Sequence, residues 1–456
     1  MKPFYASSQK VTDFTEGAIS KKLLFFAFPL MIGNLLQQFY NIADTLIVGR
    51  YLGENALAAV GSAYTLMIFL TSVIGGLCMG SGVFFSIQFG KKAEDKMKQS
   101  FFISFVSILA VTVLLNMLVY IFLKEIISFM RIPEAVQPLF HQYLLVIFAG
   151  IPAVFLYNFF ANLLRAVGNS TVPLLFLAFS SIINVILDIV FILNFSMGVT
   201  GAAAATVLAQ YLSGIGITLY YFIKCGKLGI QKIHIKWSRD IFKEIFALSF
   251  MTCIQQSIMN LGILMVQGLV NSFGVTVMAA FAAGVKIDTL AYSPVQDFGN
   301  AFSTFIAQNY GAGKKERIRR GVKAAGLLAA GFCMVISSVV YLFAGRLMAV
   351  FVDSENTGVI EIGVKYLHIE GSCYIGIGIL FLLYGYYRAM KKPGMSIILT
   401  VISLGTRVLL AYLLSSVPEI GVTGIWAAIP IGWLLADTTG ILYGRSMRKT
   451  EEKHTL

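Results

Sequence analysis

The sequence predicts an all-α integral membrane protein. Twelve transmembrane helices are expected in two six-helix lobes, related by a pseudo-two-fold axis along the membrane normal. Three observations carry this reading: apolar runs long enough to cross a bilayer, a one-sided distribution of basic residues among alternate loops, and an internal repeat offset by about 220 residues.

Apolar residues make up 57% of the 456 positions and charged residues 12%. That is about half the charged share of a soluble chain, too little to cover a water-facing surface of this size. The runs fall at 23–48, 56–80, 100–123, 139–164, 172–195 and 199–223, then at 245–271, 275–306, 324–345, 366–387, 394–417 and 422–444. Each meets the length of about 20 residues that a helix needs to span hydrocarbon. Several are longer, so tilting or kinking is expected. Pro152, Pro294 and Pro430 lie inside runs and mark candidate kinks. No cleavable leader is expected before the first run, because Asp13 and Glu16 interrupt the amino-terminal stretch.

The basic residues orient the spans. Of 35 Lys and Arg, 28 fall in the termini and even-numbered loops. Arg50, Lys124, Arg131, Arg346 and Lys365 fall on the other side, while Lys286 and Arg407 lie inside spans. This bias predicts cytoplasmic termini in a multi-pass plasma-membrane protein. It also accounts for the net charge of +13 as an orientation signal, with no nucleic-acid partner implied.

The halves repeat. FAFPL at Phe26–Leu30 matches FALSF at Phe246–Phe250, and LAAVGSAYTL from Leu57 matches MAAFAAGVKI from Met278. QFGKKAEDK from Gln88 pairs with NYGAGKKER from Asn309, LLRAVGNSTVP with YYRAMKKP, and GVTG at Gly198 recurs at Gly421. Six spans per half return the chain to its starting side, so both halves enter the membrane in the same sense. The expected organisation is an N-lobe at 1–223, a linker at 224–244 and a C-lobe at 245–456. A substrate pathway is expected near the midplane where repeats meet.

Polar residues inside these runs are the functional candidates. In the first span Asn34, Gln37, Asn41 and Asp44 are spaced by three or four residues and share one helical face. An ionised Asp at the bilayer centre costs about 3 kcal/mol on the most lenient scale. Asp44 lies nearer the outer end, where the cost is lower yet unfavourable, so its face should meet protein or a wet cavity. The amides suit helix contacts; the acid suits function. Asn184 and Asp188 lie one turn apart in the fifth span, Asn158 and Asn162 one turn apart in the fourth, and Thr206 lies in the sixth. Such a set can hold a hard cation such as Na⁺, with Asp44, Asp188 and Asn184 as its ligands, or exchange a proton.

The second half is built differently. Gln255 and Gln256 lie in span 7 with no acid, and Lys286 and Asp288 in span 8 point to different faces. Lys286 is expected to pair with an acid on another helix. Arg407, deep in span 11, needs a partner. With Gln37 and Asn41, these groups are candidates for lining a substrate pathway. Glu370 and Asp437 are expected near the interface, within reach of water. The Gly-rich runs at Gly75–Gly82 and Ile375–Ile379 are expected to let helices approach closely.

Five cysteines, mostly within apolar runs, show neither disulfide nor metal-ligand spacing. No phosphate-binding loop, metalloprotease or nucleophile-elbow motif is present, so neither an enzyme nor a cofactor is expected.

FPLMIGNLLQQFYNIADTLIVGRYLGENALAAVG resembles the opening of the multidrug and toxic compound extrusion transporters, and AQNYGAGKKERIRRG resembles their block after span 8. The resemblance implies a monomeric antiporter exporting amphipathic or cationic small molecules in exchange for H⁺ or Na⁺, its two lobes alternating between outward-open and inward-open forms. It places a coupling-ion site at Asp44, Asn158 or Asn162, Asn184, Asp188 and Thr206, and a helix-bending proline at Pro29. The rival readings are a lipid-linked saccharide flippase of the same superfamily, which needs a basic cavity, and a membrane-embedded enzyme.

Overall fold

A computed structural model describes residues 12–130, 132–225, 234–353 and 355–453. The first eleven residues, Arg131 and residues 226–233 of the expected linker lie outside them. The described residues form α1 (Ile19–Leu52), α2 (Glu54–Gly90), α3 (Glu94–Ile121), α4 (Leu123–Phe129), α5 (Gln137–Ile147), α6 (Ile151–Ala166), α7 (Thr171–Ile189) and α8 (Gly198–Tyr220). The second half adds α9 (Arg239–Asn271), α10 (Val275–Gly311), α11 (Lys315–Phe351), α12 (Thr357–Gly371), α13 (Tyr374–Ala389), α14 (Pro393–Ser415) and α15 (Val422–Lys453).

Helices are what an apolar chain forms where water cannot satisfy the backbone. Eleven stretches among the described residues are long and apolar enough to span a membrane, and α12 with α13 makes a twelfth if that bent pair is one span. Large apolar side chains face outward, among them Leu327 at 76% and Leu342 at 74% exposure. Lipid is the solvent that accepts such surface.

Two interruptions refine the expected spans. The fourth is α5 and α6 joined by a 3₁₀ turn at Phe148–Gly150, and Pro152 sits in the first turn of α6. A proline lacks the N–H that an opening turn leaves unpaired anyway, so it starts a helix here where a kink was expected. The tenth span is broken at Ser372–Cys373, where α12 and α13 meet at 51°. Pro29, Pro294 and Pro430 lie within continuous helices.

The internal repeat reappears in the backbone. Positive φ occurs at Gly53 and Gly274, at Lys92 and Gly313, at Gly168 and Lys391, and at Gly198 and Gly421. Each pair keeps the offset of the sequence repeat, so the two halves turn at equivalent places.

The chain forms two compact units. One contains Phe28–Cys253 with the described residues up to Phe14, and the other contains Thr15–Ala27 with Ile254–Leu456. Thus α1 and α9 each contribute to both. The first unit is packed around phenylalanines: Phe101 meets Phe159 edge-on at 5.5 Å, and Phe105 meets Phe155 at 5.4 Å. Within it α2 lies against the first part of α9 with no side chain between them. A Cβ at Gly76 would fall 2.5 Å from Cys253 Cα, and one at Gly80 would fall 2.4 Å from Ser249 Cα. Glycine four residues apart is what lets two backbones touch. In the second unit the other Gly-rich run is also closely packed, with Gly378 against Cys333 Sγ and Gly376 against Trp433.

Candidate functional site

In the first unit the carboxylates arrive on α1 and α7. Asp188 is fully buried and Asn184, one turn earlier, is 2% exposed. Just past Asp188 the helix widens into a π-type turn at Val190–Asn194, a local irregularity common at functional sites. Asp188 lies within electrostatic reach of Asp44. Both oxygens of Asp188, and Oδ1 of Asp44, are buried without a hydrogen-bond partner. Asn184 Nδ2 donates to Thr206 Oγ1 on α8 at 3.4 Å, leaving Asn184 Oδ1 buried and unpartnered.

Acceptor oxygens that are buried and unmatched cost free energy until something positive meets them. Two neighbouring buried carboxylates make that demand acute. No group of three or more His, Cys, Asp or Glu among the described residues could hold a metal ion. A cation at this place would therefore rest on two carboxylates completed by neutral oxygens.

The span-4 amides are placed differently. Asn158 donates to Val154 O at 2.9 Å and Asn162 to Asn158 O at 2.8 Å, both on their own helix. Asn162 also packs on Gly82 of α2. Neither hydrogen-bonds to Asp44 or Asp188 among the described residues. Asn41 makes only a long contact to Tyr64, 3.5 Å, and the exposed Gln37 bonds to Tyr40.

Two tyrosines escaped the sequence reading. Tyr143 on α5 lies in electrostatic reach of Asp44, Asp188 and Tyr40, and Tyr40 in reach of Asp44. Tyr40 stands one turn before Asp44, so the spacing of the polar stripe could have included it. Nothing in the run around Tyr143 marks it.

In the second unit Asp288 is 2% exposed and its carboxylate accepts the hydroxyls of Tyr366 and Tyr374. Glu370 is 3% and Asp437 5% exposed. The expectation of interfacial positions for these two acids is corrected: both are enclosed by their own unit. Glu370 is held beside Asp288 and within reach of Arg407, which supplies the partner Arg407 needed. Lys286 is exposed and makes no ion pair among the described residues, against the expected pairing with an acid on another helix. Gln255 is buried, with both amide atoms unpartnered, and Gln256 is half-buried.

A family model described as MatE matches residues 29–190 and again 247–413, once in each half. The chain is 31% identical over 441 residues to the probable multidrug resistance protein YpnP of Bacillus subtilis, covering 96% of this chain and 97% of that protein. It is 25% identical over 438 residues to a protein named FAD transporter in Shewanella oneidensis, covering 91% and 92%. Among solved structures, a MOP superfamily transporter from Pyrococcus furiosus superimposes with a TM-score of 0.90 at 24% identity, covering 98% of this chain and 99% of that one.

Proposed function

The chain belongs to the MatE family, and from that premise we propose that it is a secondary active antiporter exporting organic cations or amphipathic drugs in exchange for H⁺ or Na⁺. Its relatives are named multidrug resistance and export proteins, and its helices make it a multi-pass membrane protein. In this reading it sits in the plasma membrane as a monomer with both termini cytoplasmic, and transports without cofactor or catalysis.

The observation that carries the reading is the Asp44–Asp188 pair with its unpartnered buried oxygens. Asp44 and Asp188 take the coupling ion, and Asn184 Oδ1, held by Thr206, completes the set. Asn158 and Asn162 line the same unit with their donors already used. An ion bound there neutralises the pair and changes the packing of α1, α7 and α8. Exchange follows if the ion-loaded unit holds cargo less tightly, since only differential affinity shifts an equilibrium. Gln37, Asn41, Gln255, Gln256 and the exposed Lys286 are the groups left for cargo. Arg407 is offset by Glu370, which weakens the case for the basic cavity a lipid-linked saccharide flippase needs.

The test is counter-flow of a fluorescent organic cation in proteoliposomes, with Na⁺ and pH gradients imposed separately. Export driven by one gradient is expected, and Asp44→Asn and Asp188→Asn should each abolish it. Full export by both variants rejects the assignment. FAD as a competitor, the cargo in the name of the Shewanella oneidensis relative, separates anionic from cationic cargo.

A further inference from the structure

A second acidic site lies in the other compact unit and takes no part in the mechanism above. Asp288 on α10 and Glu370 on α12 are within hydrogen-bonding distance. Two carboxylates have no hydrogen to share, so a bond between them requires one proton. Asp288 already accepts both tyrosine hydroxyls, while Glu370 Oε2 is buried without a partner.

The surroundings leave room for little else. Tyr366, Tyr374 and Trp426 are each 1% exposed. From α10 itself Tyr292 lies in reach of both acids, from α14 Arg407 lies in reach of Glu370, and Cys373 feels Glu370 from the break. Toward Gly371, α11 presents apolar Val340, and α15 presents Trp426 to Tyr366. One shared negative charge on the acids is balanced by Arg407. A second would leave a net buried charge, which is costly in this setting.

The site also straddles the broken span. Tyr366 and Glu370 belong to the end of α12, Tyr374 opens α13, and Asp288 grips a hydroxyl on each side of the 51° bend. We propose that Asp288 and Glu370 hold one exchangeable proton between them, and that its release loosens the break between α12 and α13. Glu370 then turns toward Arg407 while the tyrosines keep Asp288 in place. The site is distinct from Asp44 and Asp188, and it stands whichever ion those residues take.

Trp426 reports on it directly, stacked on Phe281 at 5.3 Å and edge-on to Tyr366 at 4.9 Å. The experiment uses the full chain in detergent with Trp237→Phe and Trp433→Phe, which leaves Trp426 as the lone tryptophan. One reversible change in emission is expected as pH crosses the near-neutral range. It should vanish in Asp288→Asn and in Glu370→Gln and persist in Asp44→Asn. No change with pH, or a change that survives both carboxyl variants, overturns the proposal. Should those variants fail to fold, infrared difference spectra of the Asp44→Asn, Asp188→Asn protein decide the matter. A protonated-carboxyl band that is lost as pH rises supports the shared proton, and its absence refutes it.

Discussion

The amide of Asn184 donates to the hydroxyl of Thr206 at 3.4 Å, and this contact fixes which end of the amide faces the buried acids. Replacing Thr206 with Val removes the acceptor while keeping the volume. A lost hydrogen bond of about 1 kcal/mol corresponds to roughly fivefold weaker ion binding. The dependence of counter-flow on coupling-ion concentration should shift by that amount. An unshifted curve would remove Thr206 from the site.

Function and stability should part company at the acids. Asp188 is buried with both oxygens unmatched, so the neutral amide of Asp188→Asn relieves a desolvation cost. The variant should lose transport yet unfold at or above the wild-type temperature in a thermal scan. A marked drop in that temperature would mean the acid serves packing.

The contact of α2 with α9 predicts a size limit. Gly80→Val places new atoms on the Ser249 backbone, and overpacking of this kind costs about 1–3 kcal/mol. Gly75→Ala is the control, because nothing lies within 4 Å of its Cβ position. Thermal unfolding in detergent should separate the two variants clearly.

The repeat predicts a stabilising change. Lys92 has φ 56° where its counterpart Gly313 has φ 69°. Left-handed backbone is unfavourable for lysine and open to glycine. Lys92→Gly should stabilise by about 0.5 kcal/mol or more, read as a raised unfolding midpoint. A lowered midpoint would show that contacts of the Lys92 side chain outweigh its strain.

What is legible in the sequence follows from cost. Charge inside an apolar run is expensive, so Asp44, Asp188 and Asp288 stand out from the residue pattern alone. Length and apolar composition mark the spans for the same reason. Tyr143 carries no such cost in its run, and only tertiary packing brings it to the acids. Glu370 looks interfacial when its span is read as one straight helix. The break at Ser372–Cys373 carries Glu370 inward to Asp288, and only the weak signal of Gly371-Ser372 hints at it. The span-4 amides are visible, but their donors turn back onto their own helix.

Because α1 and α9 each serve both compact units, the repeat cannot be cut into two finished proteins. Lys314 Nζ and Arg317 grip the carbonyls of Thr15 and Glu16 just ahead of α1, and both sides of those contacts belong to the second unit. Ile241, Ile245 and Leu248 complete a small core with Phe84 and Ile103 in the first. A protease nick between the halves would therefore leave each fragment missing a strip of its own interior and carrying one that belongs to its sibling. Such fragments should survive only as a co-expressed couple.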